Sequence, residues 1–260
     1  MAGKLSILRV LFAAALLCAC SRTVPVRDLE RYQLQGDVLS VQVHSGDGTG
    51  YRAWFDRRGM LDSLLQFSPS DTLSNVYHYD SKGRLTEHEI FRSDRHYEGY
   101  YLYHYKGDVL ESYTLFGWDL QAIFDWKFEL ENGRQARCRY YNEGALVSTT
   151  EYTYGAHSKT ETVRDAEGTL CGAITYEYLD ACRLASIKGE DVDIRIAYGE
   201  DRLPVRSIGG LMEPDGEVAA ARGAEVSYTY EKDSCGNWIS RTETISGQPG
   251  RCITRTITYR

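Results

Sequence analysis

The chain has 260 residues, of which 42% are hydrophobic, and its formal net charge is −7 at pH 7. Such an acidic balance leaves no basic stripe to displace the counterions of a polyanion, so we expect no nucleic-acid partner. Tyr and Gly are abundant, at 20 and 24 residues, against 5 Pro and 3 Met. Because Tyr favours strands and Gly favours tight turns, the composition predicts a β-rich protein with many chain reversals.

The first 19 residues have the pattern of an export signal. Lys4 and Arg9 give a positive start, and residues 10–17 form an apolar run that is shorter than the roughly 20 residues needed to span a bilayer. The sequence that follows, Leu17-Cys18-Ala19-Cys20, resembles the bacterial lipobox. By that resemblance, cleavage falls before Cys20, whose thiol then carries a diacylglyceryl group, usually with a third acyl chain on its amine. Two or more chains anchor a protein firmly, since each buried methylene contributes about 0.8 kcal/mol.

The sequence therefore divides into a signal peptide over residues 1–19, a lipidated N-terminus and tether over residues 20–35, and a β domain over residues 36–260. The expected membrane contact is made through the lipid on Cys20. Ser21 follows Cys20, and in the enteric sorting pattern that this resembles it favours the outer membrane. No acidic run follows Cys20, so we expect the periplasmic face, and the cell surface is the alternative.

A short pattern recurs through the rest of the chain, which is typical of a repeat protein. Its fullest copy is Tyr77-His78-Tyr79-Asp80-Ser81-Lys82-Gly83-Arg84-Leu85. Aromatic residues two apart share one face of a strand, Asp can start a turn, and Gly supplies a positive φ for the reversal. Gly59, Gly83 and Gly107 follow one another at a constant spacing that accommodates two strands with their turns. Each copy therefore predicts a β-hairpin.

These residues resemble the YD-repeat family, also called RHS repeats, whose pattern Tyr-x-Tyr-Asp-x-x-Gly-Arg-Leu is matched in full at residues 77–85. The resemblance covers about residues 54–259. It implies an all-β fold, an antiparallel meander of tandem β-hairpins in an extended or curled twisted sheet. We expect residues 208–224, which break the rhythm, to form a long loop that includes a turn at Glu213-Pro214-Asp215-Gly216. The last strand, over residues 251–260, is expected to cap one edge of the sheet.

No catalytic or cofactor motif stands out. The sequence lacks a Gly-x-Ser-x-Gly elbow, a P-loop and a dinucleotide fingerprint, and charge runs such as Glu87 with Glu89 are interpreted as solvated. We therefore predict that the protein is not an enzyme and needs no cofactor. His78 and His104 occupy matching repeat positions, but without a local ligand motif they do not lead us to predict a metal site.

Five cysteines follow Cys20, and an exported compartment permits disulfides between them. We expect structural burial for each, with two candidate hairpin pairs, Cys171 with Cys182 and Cys235 with Cys252. Cys138 is the fifth.

These patterns favour a non-enzymatic lipoprotein of the cell envelope, whose repeat sheet serves as a scaffold or as a surface for binding an envelope protein. The alternative is a glycan-binding module, since exposed aromatic side chains on a rigid sheet can stack on sugar rings. The candidate binding residues are Trp54, Trp118, Trp126 and Trp238.

Overall fold

A computed structural model describes residues 28–92, 96–180, 183–215 and 218–260. The signal peptide, Cys20 and the first part of the predicted tether lie outside these ranges. The described chain forms one short helix, α1 (Asp28–Arg31), and 18 strands. The strands are β1 (Val38–Ser45), β2 (Gly50–Phe55), β3 (Leu61–Phe67), β4 (Thr72–Tyr79), β5 (Leu85–Arg92), β6 (Tyr97–Lys106), β7 (Val109–Gly117), β8 (Ala122–Glu131), β9 (Arg134–Asn142), β10 (Ala145–Tyr154), β11 (Ser158–Asp165), β12 (Leu170–Tyr178), β13 (Leu184–Gly189), β14 (Asp193–Tyr198), β15 (Pro204–Met212), β16 (Val218–Lys232), β17 (Trp238–Ile245) and β18 (Gln248–Tyr259).

The strands form a closed ring. Each strand pairs antiparallel with its neighbours in sequence, and β18 pairs with β1. Val41 thus lies opposite Ile257 on one side and Ala53 on the other. The described residues therefore make an up-and-down barrel of 18 strands, an architecture that leaves no sheet edge unpaired.

The predicted all-β antiparallel meander is confirmed, but the extended or curled sheet is wrong. The C-terminal strand does not cap a free edge. It hydrogen-bonds to both β17 and β1, because its alternation of Ile253, Arg255 and Ile257 with threonines matches the buried and exposed faces of both neighbours.

The repeat turns gather at one end of the barrel, called here the near end. Strands alternate in direction, so every turn that follows an even-numbered strand lies at the near end, together with α1. Asp80 shows how such a turn is held, because its Oδ1 accepts hydrogen bonds from the backbone N–H groups of Lys82 (2.9 Å) and Arg84 (3.0 Å). Gly83 completes the reversal at a φ of 79°, which costs a glycine little. Asp56 and Asp233 accept equivalent pairs of bonds.

Neighbouring hairpins are joined by the second Tyr of each repeat. Its hydroxyl donates a hydrogen bond to a backbone carbonyl near the start of the return strand of the preceding hairpin. These bonds run from Tyr79 to Leu61, from Tyr154 to Gln135, from Tyr198 to Leu184 and from Tyr230 to Pro204, at 2.8–3.0 Å. The repeat pattern therefore stabilises contacts between hairpins as well as the turns within them.

Buried side chains line the inner face of the barrel and alternate with polar side chains on the outer face. In β18, Ile253 and Arg255 are buried, whereas Thr254, Thr256 and Thr258 are exposed. This follows from the period of two in a strand when water covers the outer side of a one-layer sheet. Three apolar clusters fill the interior, around β1–β3 with β17–β18, around β12–β16, and around β6–β9.

The segment around α1 closes the near end and belongs to the barrel. The ring of Tyr32 meets those of Tyr51 and Phe55 edge-on at 5.8 and 5.5 Å, and Gln33 accepts a hydrogen bond from the indole of Trp238 at 3.1 Å. The part of the predicted tether that is described, residues 28–35, is therefore packed against the inner wall. Its apolar residues, Leu29, Tyr32 and Leu34, are buried, which explains why this stretch does not extend into water as a linker.

The region predicted as a long loop, residues 208–224, is largely strand, so that prediction is wrong. β15 and β16 continue through it and pair Gly210 with Ala220 and Met212 with Val218. β15 bends at Gly209, whose φ is 75° and where a Cβ would lie 2.0 Å from the carbonyl oxygen of Asp193. The bend directs the end of the hairpin, residues 213–215, over the inner wall of β17 and β18. We call these three residues the strap.

Candidate functional site

A row of stacked rings crosses the inner wall from β4 to β9. The rings are those of Tyr77, His88, Tyr101, Tyr113, Trp126 and Tyr140, one from each strand in turn. Successive centroids are 4.5–6.2 Å apart, and most neighbouring ring planes are inclined by less than 30°. The ring faces are therefore occupied by one another, which is the geometry of cross-strand aromatic packing and leaves little face for a ligand. Burial lowers the pKa of His88 to about 4, so this imidazole is neutral at pH 7.

Buried ion pairs occupy other parts of the inner wall. Arg241 and Glu243 are in contact at 2.7 Å, with 1% and 0% of their side-chain surfaces exposed. Arg251 reaches the second carboxylate oxygen of Glu243 at 2.8 Å. Lys159 and Glu161 form a separate buried pair at 2.7 Å. Charges that are buried away from water need partners of opposite charge, so these carboxylates neutralise the buried cationic side chains of the inner wall.

The outer wall carries an aromatic patch on β5, β6 and β7. Its members are Phe91, Tyr97, Tyr100 and Phe116, and we call it the outer patch. Neighbouring centroids lie 5.4, 6.4 and 4.9 Å apart in that order, and all four side chains are partly exposed. A β-bulge builds the patch. Gly99 pairs with Ile90 while Tyr97 pairs with Phe91, so Glu98 is the extra residue, and both tyrosines face outwards although they are three residues apart.

Charged and apolar side chains surround the outer patch. Glu89 lies opposite Tyr100 in the pairing of β5 with β6, and partial burial followed by the Glu89 carboxylate raises the pKa of Tyr97. Beyond Phe116, the turn after β7 presents Trp118 and Leu120, which are 72% and 64% exposed. Large apolar surfaces with a polar rim are typical of interaction sites. The outer patch is therefore the candidate functional site.

The rest of the outer wall has a different character. On β8–β11, Glu129, Arg137, Glu151 and Arg164 form a ladder of ion pairs from strand to strand. Exposed pairs of this kind stabilise a fold only slightly but keep the surface solvated. The outer patch stands out against this charged wall.

The structure places the four candidate tryptophans in four different environments. Trp54 faces outwards on β2 with the guanidinium of Arg52 at 4.8 Å from its ring centroid, and Trp118 is in the exposed turn described above. Trp126 belongs to the inner aromatic row, and Trp238 is completely buried in β17. The four do not share one surface, and of these side chains only Trp118 lies beside the outer patch. Glycan binding by these residues stays a prediction.

Sequence reasoning missed the outer patch because the bulge breaks the period of two. Tyr97 and Tyr100 would lie on opposite faces of a regular strand. Gly99, with its φ of 151° and a Cβ position 2.1 Å from the Phe116 carbonyl oxygen, is the local signal that a bulge occurs here.

Histidines and cysteines are spread over both faces. His78 points outwards and contacts Glu89 at 3.3 Å, whereas His88 is in the inner row. Among the described residues, no group of three or more His, Cys, Asp or Glu side chains could hold a metal ion. Cys138 is buried, as expected, whereas Cys171, Cys235 and Cys252 are exposed thiols, so the expected burial of these three is wrong. The candidate pair Cys235–Cys252 is not bonded, and Cys182 lies outside the described residues.

Comparison with known proteins finds no matching family model and no matching curated protein. A solved porin-like protein from Bacteroides uniformis has a TM-score of 0.49 and 12% identity, over 91% of this chain and 99% of that one. A porin-like protein from Bacteroides vulgatus has a TM-score of 0.29 and 10% identity, over 86% and 98% of the two chains. A chain of the TcdB2-TccC3-Cdc42 complex has a TM-score of 0.31 and 13% identity, over 79% of this chain and 12% of that one. The barrel described above rests on its own strand pairing and not on these likenesses. No helix in the described ranges is long and apolar enough to cross a membrane.

Proposed function

We propose that this is a non-enzymatic lipoprotein of the bacterial cell envelope, anchored through Cys20 to the periplasmic face of the outer membrane, whose rigid barrel presents the outer patch to a protein partner. The observation that carries this proposal is the outer patch itself, a cluster of partly exposed rings on a closed barrel. Because every strand edge is paired, a partner binds such a wall through side chains and not by adding a strand.

The polar outer wall supports a barrel that stands in water and is held by a lipid. A barrel embedded in lipid carries an outward apolar band about 25 Å tall. The outward positions of β16 are instead Glu225, Ser227, Thr229 and Glu231, all exposed, and those of β18 include three exposed threonines. In this proposal the lipid on Cys20 is the membrane contact, and the near end of the barrel, where residues 28–35 pack, faces the bilayer.

The ion pairs support a non-enzymatic role. A general acid or base must be able to exchange its proton with a substrate. Glu243 is held between Arg241 and Arg251, and Glu161 is held by Lys159. These buried carboxylates stabilise the wall and are poorly placed for proton transfer.

The composition of the outer patch points to a protein partner. Tyr and Phe are enriched where protein surfaces meet, since they bury a large area at a small entropic cost. Glu87 and Glu89 lie on the outward face of β5 beside the patch. We therefore expect the partner to offer apolar side chains framed by Arg or Lys.

Crosslinking from the barrel wall in whole cells tests the interaction. A photoreactive amino acid at Tyr100 should give a discrete crosslinked species, whereas the same group at the exposed Thr229 on β16 should not. A discrete product should weaken when Phe116→Ser is added. Identical crosslinking from both walls would contradict the proposed surface.

Metabolic labelling with a clickable palmitate tests the anchor. The wild type and Cys18→Ser should be labelled, and Cys20→Ser should not, because Cys18 is removed with the signal peptide whereas Cys20 becomes the lipid-bearing first residue. Equal labelling of all three proteins would reject the lipid anchor and leave the outer patch to be judged separately by crosslinking.

A further inference from the structure

A cavity of about 280 Å³ opens at the end of the barrel opposite α1, between the strap and the ends of β1, β2, β3 and β18. Its wall combines side chains of both charges with hydroxyl and amide groups. The polar lining residues include Thr49, Tyr51, Gln66, Glu213, Asp215 and Arg251. Val43, Pro214 and Ile253 add apolar surface. This combination differs from the apolar clusters that fill the rest of the barrel.

Three arginines hold the strap in place over the cavity. Arg241 donates to the carbonyl of Met212 at 2.7 Å, and Arg255 donates to the carbonyl of Pro214. Arg251 contacts both carboxylate oxygens of Glu213, at 3.2 and 3.3 Å. With β15 bent at Gly209 and residues 212–214 held by these bonds, the Glu213 carboxylate is fixed in position before any ligand arrives, which lowers the entropic cost of binding.

The guanidinium of Arg255 lies behind the lining of the cavity, next to both the strap and Tyr51. Arg255 is buried, lies over the ring of Trp238 at 3.4 Å, and has its charge close to Tyr51, where burial raises the pKa of the phenol to about 12. Within the described chain, Nε and Nη1 of Arg255 have no hydrogen-bond partner. Burying such donors is costly unless an acceptor reaches them. Buried donors and the carboxylates of the strap therefore lie close to one another at the cavity.

We propose that this cavity binds a neutral saccharide. Sugar hydroxyls both donate and accept, so one ring can satisfy the strap carboxylates and the donors near Tyr51 at the same time. The carboxylates of Glu213, Asp215 and Glu243 are matched in number by the guanidinium groups of Arg241, Arg251 and Arg255, which leaves no net charge to favour an ion. The volume lies just below the usual range for small-molecule sites, about 300–1,000 Å³, and suits one sugar unit, such as the end of a longer glycan.

The experiment uses the lipidated full-length protein in detergent micelles and saturation-transfer NMR. The probes are glucose, galactose, mannose, N-acetylglucosamine, maltose and cellobiose. At least one of them should bind the wild type, and Asp215→Asn and Gln66→Ala should each weaken that binding about tenfold, the effect of losing one strong hydrogen bond. Thr229→Ala, exposed on the outer face of β16, is the control and should bind like the wild type. Trp118→Ala tests the alternative that the sugar binds at the exposed turn after β7.

Three outcomes would overturn the proposal. They are no signal from any of the six sugars, binding that survives in Asp215→Asn when its melting temperature matches the wild type, and binding lost in Trp118→Ala alone, which would assign sugar binding to the outer surface. A titration with CaCl2 completes the experiment. Shifts at Asp215 with Ca²⁺ and none with sugars would identify a cation site instead. The cavity proposal is independent of the outer patch, so crosslinking at Tyr100 does not decide it.

Discussion

The guanidinium of Arg84 lies 4.8 Å from the ring centroid of Tyr105, which belongs to the next hairpin. The same side chain contacts Asp80 in its own turn at 2.6 Å and donates to the carbonyl of Gly107 in the next turn. The arrangement recurs for Arg58 on Tyr79, Arg134 on Tyr154 and Arg183 on Tyr198, at 5.5–5.9 Å. Each Arg thus bridges two neighbouring hairpins of the barrel. We call this recurring contact between an Arg and the Tyr of the next hairpin the joint.

Arg84→Ala is expected to lower the free energy of unfolding by about 2 kcal/mol, from the lost cation–π contact and charged hydrogen bonds. Arg195→Ala is the matched control, since Arg195 forms an exposed ion pair with Asp193 on the outer wall, and it should change stability far less than Arg84→Ala. Urea unfolding followed by circular dichroism measures both. Equal losses for the two variants would show that the joint contributes nothing beyond an ordinary surface arginine.

Stability is expected to fall as the pH drops, because His88 is buried between two tyrosines. Its pKa is lowered from 6.5 to about 4 in the folded protein, so between these values the unfolded chain takes up a proton that the folded chain does not. The neutral His88 side chain makes its full contribution to the free energy of unfolding above pH 6.5. This contribution is lost progressively as the pH falls towards 4, to a total of about 3 kcal/mol.

The measurement compares urea unfolding near neutral pH with unfolding at about pH 4.5. His88→Phe keeps a ring in the aromatic row but cannot titrate, so it should lose less stability on acidification than the wild type. His78→Gln, on the outer wall, should lose as much as the wild type. If all three proteins respond equally, His88 does not carry the pH dependence.

Local signals predicted the hairpins, whereas long-range contacts determined the rest of the fold. An Asp and a Gly at the spacing of Asp80 and Gly83 predict a turn from local sequence alone, so the repeat units could be predicted. Closure of the barrel depends on the pairing of β1 with β18, which lie at opposite ends of the described chain. The local sequence of neither strand predicts that pairing. Gly209 and Gly210 suggested a loop, yet here they bend a strand. A binding role for Trp238 requires an exposed ring, but contacts with Gln33 and Arg255 bury it.

Gly209→Ala is expected to destabilise the barrel strongly because it combines two penalties. Its φ of 75° is unfavourable for Ala, and the new Cβ would meet the Asp193 carbonyl oxygen at 2.0 Å. Gly107→Ala is the control, since its φ is 63° but nothing lies within 4 Å of the Cβ position. We expect about 1 kcal/mol for Gly107→Ala and more than about 3 kcal/mol for Gly209→Ala. Thermal unfolding distinguishes the two, and similar melting temperatures would mean that β15 does not bend as described.

Glu243→Gln should be among the most damaging single changes to the inner wall. It leaves the shape of the side chain intact but removes the negative charge that Arg241 and Arg251 share. Because Arg241 is almost completely buried, the loss is expected to be about 3–5 kcal/mol. Glu225→Gln removes an equivalent charge from an exposed pair with Arg206 and should cost less than about 1 kcal/mol. Since Arg241 also bonds to Met212 just before the strap, Glu243→Gln should further increase hydrogen exchange at the amides of residues 211–213 and 215, whereas Glu225→Gln should not. Unchanged exchange at those amides, with stability lost, would separate the charge cluster from the strap and show that the strap is held by its own backbone pairing.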